Sequence, residues 1–174
     1  MTLLPTSLEI RDFGCIGSMI LPPGWCAPPS IAPSMGDIDE MIFYAPQSPT
    51  TKISLVRRCK ALPQKEATAA RECLGAPPHS LTPEERLALG PFLRGAHSPE
   101  KFKAVTIATG FWNKRIVLIV NGLEIASNRE VFWLLVDSDG SGAFLQDIIF
   151  GAVSHEYERN LSTVMTSLAS IEWL

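Results

Sequence analysis

Two stretches of the chain, Ile116-Val117-Leu118-Ile119-Val120 and Val131-Phe132-Trp133-Leu134-Leu135-Val136, are apolar at every position. Their β-branched and aromatic content marks them as strands, and a strand sends successive side chains to opposite faces of its sheet. Neither stretch therefore has a face fit for water, and each needs an apolar layer above and below it. The flanking residues predict strands over Ala104–Trp112, Arg115–Glu124, Glu130–Ser138 and Ala143–Phe150, joined at Asn113-Lys114, Ser127-Asn128 and Asp139-Gly140-Ser141-Gly142. Connections this short join antiparallel neighbours, because a parallel crossover needs a dozen or more residues. A meander follows.

The covering layers are helices. Ser154 is the expected cap of a C-terminal helix in which Tyr157, Leu161, Val164, Met165 and Leu168 recur at helical spacing along one face, running toward Ile171-Glu172-Trp173. Gln64 to Leu74 is rich in good helix formers and stops at Gly75. Thr82, Pro83 and Glu85 have the order of a capping box with proline in the first turn, which predicts a short helix from Pro83 to about Leu89. Earlier in the chain, Leu8 to Ile10 and Ile16 to Leu21 read as extended segments, and Glu40–Ala45 with Thr51–Cys59 reads as an antiparallel pair. The fold class expected is α+β, a largely antiparallel sheet with helices packed on both faces, an α/β/α sandwich.

With 174 residues, 46% of them hydrophobic and 19% charged, the chain fits one α+β domain over residues 1–174. A formal net charge of −3 gives no field that would draw it to nucleic acid or to an anionic membrane. Met1 to Thr6 lacks the basic and apolar regions of a signal peptide, so a cytoplasmic location is expected. Cys15, Cys26, Cys59 and Cys73 stand singly, without metal-ligand spacing, and are expected as reduced and mostly buried thiols. No cofactor or metal is expected.

The order of elements, with the strand-ending Leu21-Pro22-Pro23-Gly24-Trp25 and the final amphipathic helix ending near Ile171-Glu172-Trp173, resembles the Mog1/PsbP-like family. That family includes photosystem II extrinsic proteins, a Ran-binding nuclear protein and bacterial proteins of unknown role. The resemblance spans most of the chain and implies an α/β/α sandwich that serves in binding or assembly without a catalytic constellation. It carries no individual site residue across.

The residues themselves are consistent with that. Asp137-Ser138-Asp139-Gly140-Ser141-Gly142 begins like a calcium loop, but the sixth and twelfth positions counted from Asp137 are Gly142 and Ile148, so it lacks the bidentate glutamate and reads as a turn. His79, His97 and His155 sit in no ligand or catalytic motif, and neither a phosphate-binding glycine loop nor a G-x-S-x-G elbow occurs. Lys52, Arg57, Arg58, Lys60 and Lys65 form a basic stretch with no acid from Met41 to Lys65, suited either to an acidic protein partner or to a protected strand edge. Trp25, Phe111 and Trp112 adjoin turns, where aromatics either anchor a partner or close the sandwich. The function expected is a non-enzymatic protein-interaction or assembly module, with Trp25, Arg57, Arg58, Lys60 and Trp112 as candidate partner-binding residues. The alternative is a small-ligand-binding or enzymatic domain with a pocket between the sheet and the loops Cys26–Asp37 and Ala76–Pro99. Oligomeric state is left open by the sequence.

Overall fold

A computed structural model describes residues 7–28, 37–46, 48–93, 96 and 98–174, with the backbone alone at 104 and 105. The described elements run β1 (Glu9–Phe13), β2 (Ile16–Ile20), β3 (Ile38–Ala45), β4 (Ser48–Arg58), α1 (Gln64–Gly75), α2 (Pro83–Ala88), β5 (Phe102–Trp112), β6 (Arg115–Glu124), β7 (Arg129–Asp137), β8 (Leu145–Val153), α3 (Ser154–Ala169) and β9 (Glu172–Trp173). A 3₁₀ turn at Gly90–Phe92 follows α2.

Six strands form one antiparallel sheet in the order β3-β4-β8-β7-β6-β5, and β1-β2-β9 form a second, smaller one. The meander over β5 to β8 is present as expected. Its tightest turn, Asn113-Lys114, has φ of 47° and 69° at the two central residues. Positive φ at both positions is the twist-compatible geometry of a two-residue hairpin.

The pleat sorts the apolar runs onto two cores. Phe132, Leu134 and Val136 of β7 join Val117, Ile148 and Phe150 on the face that receives Tyr157, Val164 and Leu168 of α3 together with Ile10, Ile16 and Met19 of the small sheet. Trp133 and Leu135 join Leu118, Val120 and Leu145 on the opposite face, under Ala70, Cys73 and Leu74 of α1 and Leu89, Phe92 and Leu93 after α2. The fold is α+β, with an antiparallel sheet between helical layers.

Local chemistry places the covers. Thr82 Oγ1 accepts from Glu85 N at 3.2 Å while Glu85 Oε2 accepts from Thr82 N at 2.8 Å, the reciprocal capping box that starts α2. Ser154 does not cap α3. It is the first helical residue, the cap position falls on Val153, and no side-chain cap bond forms there. Glu156 in that first turn looks outward to β4 instead, accepting from Ser48 Oγ at 2.5 Å, from Thr50 Oγ1 at 3.2 Å and from Thr51 Oγ1. The helix also ends earlier than its apolar pattern suggests: Ser170 closes it, and Glu172–Trp173 become a strand paired with β2.

The small sheet is joined to the large one through a buried amide. Gln146 Oε1 accepts from Cys15 N at 2.8 Å, and Gln146 Nε2 donates to Phe13 O at 3.1 Å. The turn must pass close to that amide: a Cβ at Gly14, where φ is 62°, would lie 2.1 Å from Gln146 Oε1.

Leu168 is 1% exposed, whereas Leu161 packs against the core from its edge. Leu168→Ala is expected to lower unfolding free energy in urea by about 2–5 kcal/mol, and Leu161→Ala by clearly less; equal losses would contradict this docking of α3. Glu156 also ties stability to pH. The hydrogen bonds from Ser48, then Thr51, then Thr50, hold its carboxyl below the ordinary value of 4.5. A depressed folded-state pKa contributes stability above the unfolded value and loses it as pH falls through the folded one. Glu156→Gln should therefore flatten part of the acid limb of the stability–pH curve while leaving its neutral-to-alkaline shape unchanged.

Candidate functional site

The helical layer over α1 and α2 leaves part of its sheet face open, and the strand register explains the shape of the opening. Val131 on β7 pairs with Gly122 on β6 and with Gly151 on β8, and Gly151 pairs in turn with Lys52 on β4. Two glycines flanking Val131 contribute no side chains, so the sheet surface is depressed there. Val131, Trp133 and Ile149 form the apolar floor, Leu93 and Phe102 stand at the sides, and no α1 or α2 residue is among the described lining residues. The cleft encloses about 210 Å³.

Its charged groups come in both signs: carboxylates from Glu40 and Glu124, cations from Lys52 and Arg129. Arg129 is held in place, its Nη2 donating to Thr50 O and to Gly151 O at 2.8 Å each. A Cβ at position 151 would lie 3.1 Å from that Nη2, so the glycine also makes room for the guanidinium.

Deeper on the same face lies a buried ion pair. Arg58 Nη2 is 3.1 Å from Asp147 Oδ2, with the two side chains 19% and 0% exposed. Asp147 Oδ1 accepts from Trp133 Nε1 at 3.1 Å, and the guanidinium sits 5.7 Å from the Phe92 ring centroid. This cluster ties β4, β8 and β7 together beneath the helical layer.

The five residues proposed from sequence do not share one surface. Trp25 is 5% exposed and packs in the α3-side core, its ring 6.3 Å from that of Phe150. Trp112 is half-buried on that side, donating Nε1 to Leu168 O at 2.9 Å and lying 5.7 Å from the Phe132 ring. Its neighbour Phe111 is 66% exposed. Arg58 points into the opposite face, as described. Arg57 and Lys60 are exposed and face Asp39 at 3.4 Å and Asp37 at 3.8 Å. Asp39 lies at the start of β3 and Asp37 just before it, where the antiparallel register sets them opposite the end of β4. Arg57, Arg58 and Lys60 are thus each charge-balanced by an aspartate from another part of the chain. Sequence reasoning passed over Glu40, Glu124, Arg129 and the two glycines, whose only signal was a pair of glycines inside strands.

The aspartate-glycine string is a turn held by its own side chains. Asp137 accepts from Gly140 N and Gly142 N at 3.1 and 2.8 Å, and Asp139 accepts from Ser141 N at 3.0 Å. A Cβ on Gly142 would fall 2.1 Å from Ala67 O, so this glycine lets the turn sit against α1. Cys15 and Cys73 are buried as expected, but Cys26 and Cys59 are exposed, Cys26 at an isolated bridge to Tyr44 and Cys59 just past the end of β4, both outside the two cores. His97 and residues 29–36 of the proline-rich loop lie outside the described residues.

One further cluster joins the helical layer. Cys73 Sγ, a ring nitrogen of His79 and a carboxylate oxygen of Glu85 lie within 4.8 Å of one another. His79 Nε2 is 2.9 Å from Glu85 Oε1, and its Nδ1 is 2.7 Å from Pro77 O. Burial pushes the Cys73 thiol up to about 11, with the Glu85 charge adding to it.

No family model matches the sequence, and no curated protein matches it. Among solved structures, the solution structure of cyanobacterial PsbP (CyanoP) from Synechocystis sp. PCC 6803 matches with a TM-score of 0.57, over 98% of this chain and 94% of that one, at 8% sequence identity. The chain therefore has a PsbP-like fold; at that identity the likeness is one of fold, and it does not extend to a Mog1 assignment. No helix among the described residues is long and apolar enough to cross a membrane.

The pairings separate the basic residues by role. Arg58 supplies the cation that pairs with the fully buried Asp147, so Arg58→Ala is expected to cost about 3–5 kcal/mol in chemical denaturation, against roughly 0–1 kcal/mol for Arg57→Ala or Lys60→Ala. Similar small losses for all three would show that Arg58 is not structural.

Proposed function

We propose that the chain is a protein-interaction module that docks an anchor side chain of a partner protein in the cleft around Val131. The observation that carries this reading is the combination of an apolar, glycine-flanked floor with a rim of both charge signs. An apolar floor supplies affinity by burial, and rim charges select orientation and partner. The size of the depression favours a side chain over a free metabolite: about 210 Å³ is below the roughly 300–1,000 Å³ of ordinary small-molecule pockets. Large aromatic or arginine anchors seated in such desolvated pockets dominate many interfaces.

Docking is assigned to the cleft, which takes Lys52 from the basic stretch, and not to Arg57, Arg58 or Lys60, because Arg57 and Lys60 already face aspartates and Arg58 is committed to Asp147. The partner segment that suits the rim carries acidic and basic residues on either side of its anchor. A reducing, cytoplasmic location accompanies the proposal, since Cys15, Cys26, Cys59 and Cys73 are all free thiols.

The test is site-specific photo-crosslinking in extract from the source cells, with a benzophenone amino acid at Glu124 on the rim or at Glu158 on the outer side of α3. A discrete adduct from position 124, absent from position 158 and reduced about tenfold or more by the cleft-filling change Val131→Trp, is the expected result. Adducts that form equally from both positions, or that survive Val131→Trp, overturn the proposal. A small molecule from the same extract whose saturable binding is abolished by Val131→Trp, without any protein adduct, replaces it with the ligand-binding alternative.

A further inference from the structure

The Cys73, His79 and Glu85 cluster is outside the cleft, and its donors converge from three separate parts of the chain. Cys73 comes from the last turn of α1, His79 from the loop between the helices, and Glu85 from the first turn of α2. Each is fixed by groups other than its cluster partners. The His79 backbone is clamped to β5, with His79 N donating to Thr109 Oγ1 at 2.9 Å and Thr109 N donating to His79 O at 2.8 Å. Glu85 spends Oε2 on the Thr82 N–H of the capping box, which leaves Oε1 toward the imidazole. Cys73 is held by burial at 3% exposure in the helical-side core.

The imidazole has the orientation of a metal ligand. Pro77 O, 2.7 Å from Nδ1, is an acceptor and so takes the Nδ1–H. A backbone carbonyl on one ring nitrogen is the usual outer contact that aims the other nitrogen's lone pair at a metal. Nε2 then faces the Glu85 carboxylate oxygen at 2.9 Å, a contact that a proton on Nε2 bridges in the metal-free protein and that a cation takes over by displacing that proton.

We infer that Cys73, His79 and Glu85 bind one divalent transition-metal ion of the zinc class, with a fourth coordination position open to solvent. The donor set is one sulfur, one imidazole nitrogen and one carboxylate oxygen, a mixture that suits Zn²⁺ or Co²⁺ and excludes the oxygen-only preference of Mg²⁺ and Ca²⁺. Bond lengths of about 2.3 Å to sulfur and about 2.0–2.2 Å to nitrogen and oxygen place tetrahedral donors roughly 3.3–3.8 Å apart. The donor atoms already lie within 4.8 Å of one another, so binding requires only that the Cys73 sulfur draw closer and that the His79–Glu85 pair open from 2.9 Å. Three protein ligands with a vacant fourth position are the coordination of reactive or exchangeable zinc, whereas structural sites are closed by four. The His79 and Glu85 side chains, each 29% exposed, give the ion its path from solvent, and Cys73 closes the inner end. On binding, the Cys73 S–H and the His79 Nε2–H bonds are replaced by S–metal and N–metal bonds, and both protons leave to solvent.

The inference concerns residues that the cleft does not use, so it stands or falls independently of the proposed interaction. Its test uses the full chain carrying Cys26→Ser and Cys59→Ser, which removes the exposed thiols, after chelation and dialysis. Titration with Co²⁺ is expected to saturate at one equivalent, with a sulfur-to-cobalt charge-transfer band and the visible bands of a tetrahedral centre, both erased by added Zn²⁺. Cys73→Ser should abolish the charge-transfer band. Glu85→Gln retains the capping box, because glutamine serves at that position, and should weaken Co²⁺ binding about tenfold to a hundredfold with the fold unchanged by circular dichroism. Absence of saturable binding overturns the inference. So does binding without the sulfur band, or a band that persists in Cys73→Ser, either of which marks an adventitious ion only.

Discussion

Because β7 turns apolar side chains to both of its faces, the rest of the molecule is arranged to keep water from two surfaces at once. Phe132, Leu134 and Val136 demand one cover; Trp133 and Leu135 demand another. A sheet of this kind cannot stop at its own hydrogen bonds. The chain meets the demand asymmetrically, with a sixteen-residue helix and a small sheet on one side and two shorter helices with a 3₁₀ turn on the other. The thinner cover also accommodates what does not belong in oil. Asp147 lies at 0% exposure on that face, and its charge is met there by Arg58 and its second oxygen by the Trp133 indole. A buried carboxylate is tolerated only when paired and hydrogen-bonded.

The cleft follows from the same asymmetry. Where the shorter helices run out, the sheet would expose Val131 and Ile149 to solvent, and glycines at 122 and 151 lower the surface around them. Charged groups from β3, β4, β6 and β7 ring the uncovered patch, with Arg129 pinned to two carbonyls so that its charge stays at the rim. The candidate metal cluster belongs to the helical layer itself, at the junction where α1, the following loop and α2 meet. One face therefore carries both the cleft and the candidate metal cluster.

Much of this was legible from local pattern. The two apolar runs announced a sheet with two covered faces, the brevity of the turns announced the meander, and Thr82-Pro83-Glu84-Glu85 announced a capped helix, because each depends on residues close together in sequence. What escaped depends on pairing across distance. Arg57 and Lys60 looked unopposed because their aspartates lie at or just before the start of the preceding strand and return only through antiparallel register. Glu172 and Trp173 follow α3's apolar stripe so closely that nothing local distinguishes them from its last turn; their pairing with β2 decides the matter. Trp25 illustrates the limit for single aromatics, since a turn-adjacent tryptophan reads alike whether it faces a partner or Phe150. The Cys73, His79 and Glu85 grouping has spacings that match no ligand motif, and only the folding of two helices toward each other assembles it.

The pairing of β2 with β9 joins segments about 150 residues apart, and the Gln146 amide fastens the same corner to the large sheet. Such contacts reward the chain only after the entropy of closing a very long loop has been overcome. During synthesis the β1–β2 hairpin emerges early yet lacks both its third strand and the amide that holds its turn. Its apolar side, with Ile10, Ile16 and Met19, stays without its native cover until β8, α3 and β9 have been made. The small sheet therefore cannot be completed until β9 has been made, and until then the apolar side of the hairpin is open to chaperones and to aggregation.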